Sequence, residues 1–161
     1  NVRPTVISHG ANTTLPGRPR FQVEFDWCGT IDPTAVLCIP AAMSFLEGLF
    51  PCGWKGLRMH NRALLLRARR TLCEALEVAP PAPEEMLGSL ASVPLPQCEQ
   101  GRPVSAFDVD PVQKALFDHY HIEVPIIPWP AHPRRLLRVS AQAYNRIEEY
   151  EYLGAVLRKL V

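Results

Sequence analysis

Apolar residues recur at helical spacing through the middle of the chain. Trp54, Leu57, Leu64, Leu65, Ala68, Leu72 and Leu76 fall near one side, and Arg58, Arg62, Arg69 and Arg70 favour the other. The spacing predicts a long amphipathic helix with its arginines on a solvated face. Upstream, Ala35 to Leu49 is apolar nearly all round and follows Asp32-Pro33, an N-cap with proline in the first turn, so a mostly buried helix is expected there. Pro40 inside that stretch predicts a kink or a late start. Downstream, the segment from Met86 to Leu95 alternates small and apolar residues as a strand does. Asp110-Pro111 repeats the cap-plus-proline signal, Gln113 stands where a capping box needs it, and a short helix is predicted from Val112 to His119. Ile122 to Ile127 is β-branched but carries Pro125, which confines it to an edge or interrupted strand. Leu136-Leu137-Arg138-Val139-Ser140 is the strongest strand signal. In the last helix Asn145 with Glu148 supplies the cap, and Ile147, Tyr150, Leu153, Leu157 and Leu160 form one apolar side. The expected architecture is therefore α+β, a small sheet covered by helices.

Composition sharpens the boundaries. The 17 prolines cluster at Pro80-Pro81-Ala82-Pro83 and through Pro125, Pro128, Pro130 and Pro133, which marks these stretches as joints. With 161 residues and 47% hydrophobic content the chain can bury a real core as one compact domain. Its 17 basic and 16 acidic side chains nearly cancel, so no field favours nucleic acid or acidic membranes. No apolar run approaches the roughly 18 residues that cross a bilayer and no secretory signal is visible, so a soluble, cytoplasmic protein is expected. The chain starts at Asn1 in what reads as mid-element, the pattern of a fragment or processed product. Cys28, Cys38, Cys52, Cys73 and Cys98 include no close pair, and His119 and His121 are two apart, so reduced structural thiols and no metal site are expected.

Few residues suggest chemistry by themselves. Gly29-Thr30 just before a capped helix offers backbone N–H groups and a hydroxyl to an anion such as phosphate. Arg138 shares a strand face with Leu136 and Ser140, where a guanidinium needs either a ligand carboxylate or an internal partner such as Glu123 or Asp108. Ser8-His9 cannot form triad geometry from adjacent positions, and Lys55, Lys114 and Lys159 all fall on predicted helices beside polar neighbours, so no catalytic amine stands out.

Three segments taken together go further. Ile7-Ser8-His9-Gly10, Phe25-Asp26-Trp27-Cys28-Gly29-Thr30-Ile31-Asp32-Pro33 and Leu136-Leu137-Arg138-Val139-Ser140-Ala141-Gln142-Ala143-Tyr144-Asn145 resemble class V aminotransferases of the isopenicillin N epimerase-like branch, pyridoxal-phosphate enzymes of fold type I. Gly53-Trp54 and Ile122-Glu123-Val124-Pro125 extend the resemblance over most of the chain. It implies the small C-terminal α+β domain from residue 34 to 161, preceded over 1–33 by the end of the large cofactor domain and an interface loop. It also implies a homodimer in which Thr30, with Gly29 and Trp27 nearby, helps hold the phosphate of pyridoxal 5'-phosphate bound mainly by the partner. Arg138 is implied to bind the α-carboxylate of a small amino-acid substrate, and Cys28 to be a packed thiol. The family's Schiff-base lysine and its pyridine-pairing aspartate lie upstream of the Ser-His-Gly segment, so these residues alone are expected to be inactive. Epimerisation, transamination and carbon–sulfur lysis all stay open. So does a non-catalytic remnant that serves as a dimerisation or interaction module, whereas a nucleic-acid module built on Arg58 to Arg70 ranks last.

Overall fold

Among the residues that the computed structural model describes, 2–26, 29, 32–98 and 108–161, the chain divides into two compact units, Asn1–Phe45 and Leu46–Val161. Trp27, Cys28, Thr30 and Ile31 lie outside the described residues.

The first unit contains a helix that periodicity did not reveal, α1 (Arg20–Phe25). It is too short to show an apolar stripe, and a buried carboxylate anchors it instead. Glu24 is 2% exposed, and its Oε1 accepts from Arg3 at 2.5 Å and from Arg20, one turn earlier, at 2.5 Å. The Ser-His-Gly segment packs on this helix as a 3-10 turn over His9–Ala11. Ser8 Oγ donates to Glu24 O at 2.9 Å, and a Cβ added to Gly10 would lie 2.0 Å from Val23 O. The serine and glycine of that segment are thus accounted for by packing. Gly10→Ala is expected to cost about 1–3 kcal/mol, as forced overpacking against backbone does, measured as a lower urea midpoint with unchanged slope.

Next come α2 (Thr34–Leu37) and α3 (Ile39–Gly48). Asp32 accepts the Thr34 N–H at 2.9 Å as well as the Thr34 hydroxyl, and these bonds, the hydroxyl's first, hold its carboxyl below the usual aspartate range. The break expected at Pro40 is present: the stretch splits into two helices, and the longer one starts late, at Ile39. Pro40 occupies the first turn of α3, where its missing N–H has no partner to lose, and the chain steps from α2 to α3 at Cys38. The expectation of burial fails: neither helix contains a buried residue, and Val36, Leu37, Ile39, Met43 and Phe45 are each more than half exposed. An all-round apolar sequence predicts only that a cover is needed, and that cover is not supplied by the described residues.

In the second unit α4 (Gly53–Leu76) runs for 24 residues as predicted, burying Leu57, Leu64, Leu65, Ala68 and Leu72. Its arginines do not form a purely solvated face. Arg69 is 4% exposed and donates to Ala82 O at 2.7 Å, while Arg62 donates to Leu87 O at 3.2 Å and Glu84 O at 2.9 Å. The proline-rich joint and the turn that follows it explain this reversal, because their carbonyls have no ladder to join and two guanidinium forks satisfy them. Cys73 packs beside Arg69 on the same helix, and burial pushes its thiol up despite that charge.

The sheet contains β1 (Leu90–Leu95), β2 (Ile126–Pro128) and β3 (Arg135–Ser140), antiparallel in the order β1-β3-β2. The first strand begins later than expected, after a 3-10 turn at Glu84–Met86. The strongest strand of the sequence takes the centre, and the two strands that contain proline, β1 with Pro94 and β2 with Pro128, take the edges. Val93 and Ile126 both register with Leu137, and Ala91 with Val139. This buried face joins α4, α5 (Pro111–Tyr120) and α6 (Ile147–Leu160) in one core around Leu65, Leu72, Leu116, Leu137, Val156 and Leu157. The α+β fold with a small helix-covered sheet is therefore as expected. Among the described residues no single helix is long and apolar enough to cross a membrane.

Candidate substrate cleft

Two arginines on β3 have opposite fates. Arg135 is 7% exposed, and its Nη1 lies 2.8 Å from each carboxylate oxygen of Asp110 while its Nε donates to Pro96 O at 2.9 Å. Asp110 also caps α5, accepting the Val112 N–H at 2.8 Å. The buried ion pair of this strand therefore belongs to Arg135.

Three residues on, Arg138 projects from the other face beside Leu136 and Ser140, as the strand alternation predicts. It is exposed, and neither Glu123 nor Asp108 pairs with it; no ion pair or side-chain hydrogen bond engages its guanidinium among the described residues. It lines a cleft of about 430 Å³ between the segment after α5, the end of β3 and the first turns of α6.

The walls of that cleft are fixed by specific bonds. The Arg138 N–H donates to Pro125 O at 3.0 Å, which draws the segment before β2 against the strand. Gln113 does not complete a capping box. Its Oε1 instead accepts the Ile126 N–H at 2.7 Å, tying α5 to the same segment. On the opposite wall Tyr150 donates its hydroxyl to Ser140 O at 2.5 Å. Burial, with help from Glu149 and Tyr144, holds that phenol above its ordinary range, so it stays a neutral donor. Asn145 caps differently from expectation: its Oδ1 accepts the Gln142 N–H at 2.9 Å and its Nδ2 donates to Glu149, not Glu148, at 2.9 Å. Gln142 Oε1 in turn accepts from Ala143 N–H and from buried Asn61, both at 2.8 Å. The loop leaving β3 is thus held on α4.

Chemically, an unpaired guanidinium in a walled cleft suits a small carboxylate, which its planar fork can take with two charge-assisted hydrogen bonds. No lysine lines the cleft; Lys114 pairs with Asp118 at 2.6 Å on the surface of α5. The cleft therefore suits a small carboxylate and contains no amine that could carry a cofactor. Of the residues implied to meet a phosphate, Gly29 has φ 142°, a conformation that favours glycine, and nothing within 4 Å of an added Cβ, while Trp27 and Thr30 lie outside the described residues. Sequence reasoning missed His121, Tyr150 and Glu149 as cleft residues. The polar tip of Tyr150 within an otherwise apolar helix stripe was the available signal.

No protein-family profile matches the chain. It is 30% identical over 97% of its length to a putative L-cysteine desulfhydrase from Oryza sativa subsp. japonica, covering 33% of that protein. It is 27% identical over its full length to an L-cysteine desulfhydrase from Arabidopsis thaliana, covering 36% of it. Over 82% of its length it is 32% identical to isopenicillin N epimerase from Amycolatopsis lactamdurans, covering 30% of it. The chain thus spans about a third of the length of these curated relatives.

Proposed function

We propose that the chain, class V aminotransferase-like in its partial similarity to L-cysteine desulfhydrases and isopenicillin N epimerase, forms the C-terminal portion of a pyridoxal-phosphate enzyme acting on an amino acid, of the epimerase, aminotransferase or cysteine desulfhydrase type. Its own contribution is to bind and orient. The unpaired Arg138 in a pinned cleft carries this reading. The guanidinium takes the substrate's α-carboxylate, β3 fixes its direction, and Tyr150 keeps the end of the strand in place through Ser140. The catalytic amine comes from outside these residues, so the chain alone binds substrate without turning it over. Thr30, with Gly29 and Trp27, reaches the phosphate of a cofactor in a homodimer partner.

Calorimetric titration of the chain with L-alanine and with L-alaninamide tests the carboxylate seat. The amide keeps the ammonium and the side chain but lacks the negative charge, so it is expected to bind at least about tenfold more weakly. Equal affinities would reject the assignment.

A second reading, an interaction module without catalysis, is favoured by the exposed apolar surface of α2 and α3. It requires self-association with no carboxylate preference, and sedimentation equilibrium run beside the same titration separates the two.

A further inference from the structure

His121 stands immediately after α5 in the left-handed region, at φ 56° and ψ 35°. Glycine is the usual occupant of such a position, because any Cβ there meets the backbone. The helix ending itself does not use the side chain: the main chain closes it, with the Ile122 N–H donating to Leu116 O at 3.0 Å. The imidazole has no structural work to do either. It is exposed and makes no hydrogen bond or ion pair among the described residues, and the nearby Glu149 is engaged by Asn145. Yet the same residue lines the cleft that contains Arg138.

We propose that His121 is a second carboxylate-binding residue, donating an imidazole N–H to the α-carboxylate that Arg138 holds. This rests on the reading of Arg138 given above. A carboxylate offers about four acceptor sites, and a guanidinium fork uses two of them, so an imidazole lining the same cleft has acceptors left to meet. The left-handed turn is what carries His121 off the axis of α5 and onto the cleft wall, and the bonds from Gln113 to Ile126 and from Arg138 to Pro125 hold the following segment in register with β3. The ligand class is accordingly an α-amino acid with its carboxylate ionised.

The test uses the chain with L-alanine as probe and three variants. His121→Gly removes the imidazole while easing the backbone, so thermal stability should be kept or raised and affinity should fall by roughly 2- to 10-fold, the worth of one hydrogen bond. His121→Asn tolerates the same turn and keeps an N–H donor, so it should retain most of the affinity. Unchanged affinity in His121→Gly together with a large loss in Arg138→Ala would overturn the role of His121 and leave Arg138 standing. Unchanged affinity in both would overturn the reading of the cleft itself.

Discussion

Replacing Arg138 with alanine is expected to weaken amino-acid binding by about 10- to 100-fold, the worth of two charge-assisted hydrogen bonds. Stability should not change, because Arg138 is exposed and makes no ion pair or side-chain hydrogen bond among the described residues. Arg138→Lys keeps the charge and loses the planar fork, so it should fall between the two. Calorimetry gives the affinity, and thermal unfolding shows whether the fold is intact. An Arg138→Ala chain that binds L-alanine as tightly as the native one would leave the cleft without its function.

Asp110→Ala should have the largest effect on the fold. It removes the cap of α5 and leaves the Arg135 guanidinium, 7% exposed, without a counter-charge. Breaking one side of a buried pair costs about 3–5 kcal/mol, and a lost cap about 1 kcal/mol more. Arg135 keeps its bond to Pro96 O, so the lower end of that range, a loss of about 4 kcal/mol, is expected in urea unfolding. Asp110→Asn keeps an oxygen for the Val112 N–H and should recover the cap alone. Equal stability of the native and Asp110→Ala chains would show that the pair adds nothing to the fold.

These two arginines show where the sequence was legible. Alternation along β3 placed Leu137 and Val139 on one face and Arg138 on the other, and that depends only on strand geometry, which neighbours cannot change. The buried pair could not be read the same way. Arg135 and Asp110 are 25 residues apart, and their meeting depends on how α5 docks beside β3. The arginines of α4 mislead for a similar reason. Periodicity sees a polar face, but only the path of the proline joint and the turn after it decides that Arg69 and Arg62 spend their donors on backbone carbonyls. Gln113 was seen as a local cap and serves a contact with Ile126 instead, since tertiary partners outcompete a capping box when they offer a buried N–H. The apolar run from Ala35 to Leu49 was legible as helix but not as buried surface, because hydrophobicity says that a side chain needs cover and not where the cover is found. In the Ser-His-Gly segment Ser8 and Gly10 serve packing on α1, which the residue types alone did not reveal. His121 was invisible as a cleft residue because helical spacing stops predicting direction where the helix turns left-handed.

The account depends most on the difference between the two guanidinium groups of β3, and an NMR titration of arginine Nε–H signals with L-alanine reads it directly. The Arg138 signal should shift and saturate with the ligand, while the Arg135 signal, locked on Pro96 O, should stay in place. A titration that leaves Arg138 unmoved, or that moves both signals together without saturation, would contradict the assignment of this cleft as an amino-acid carboxylate site.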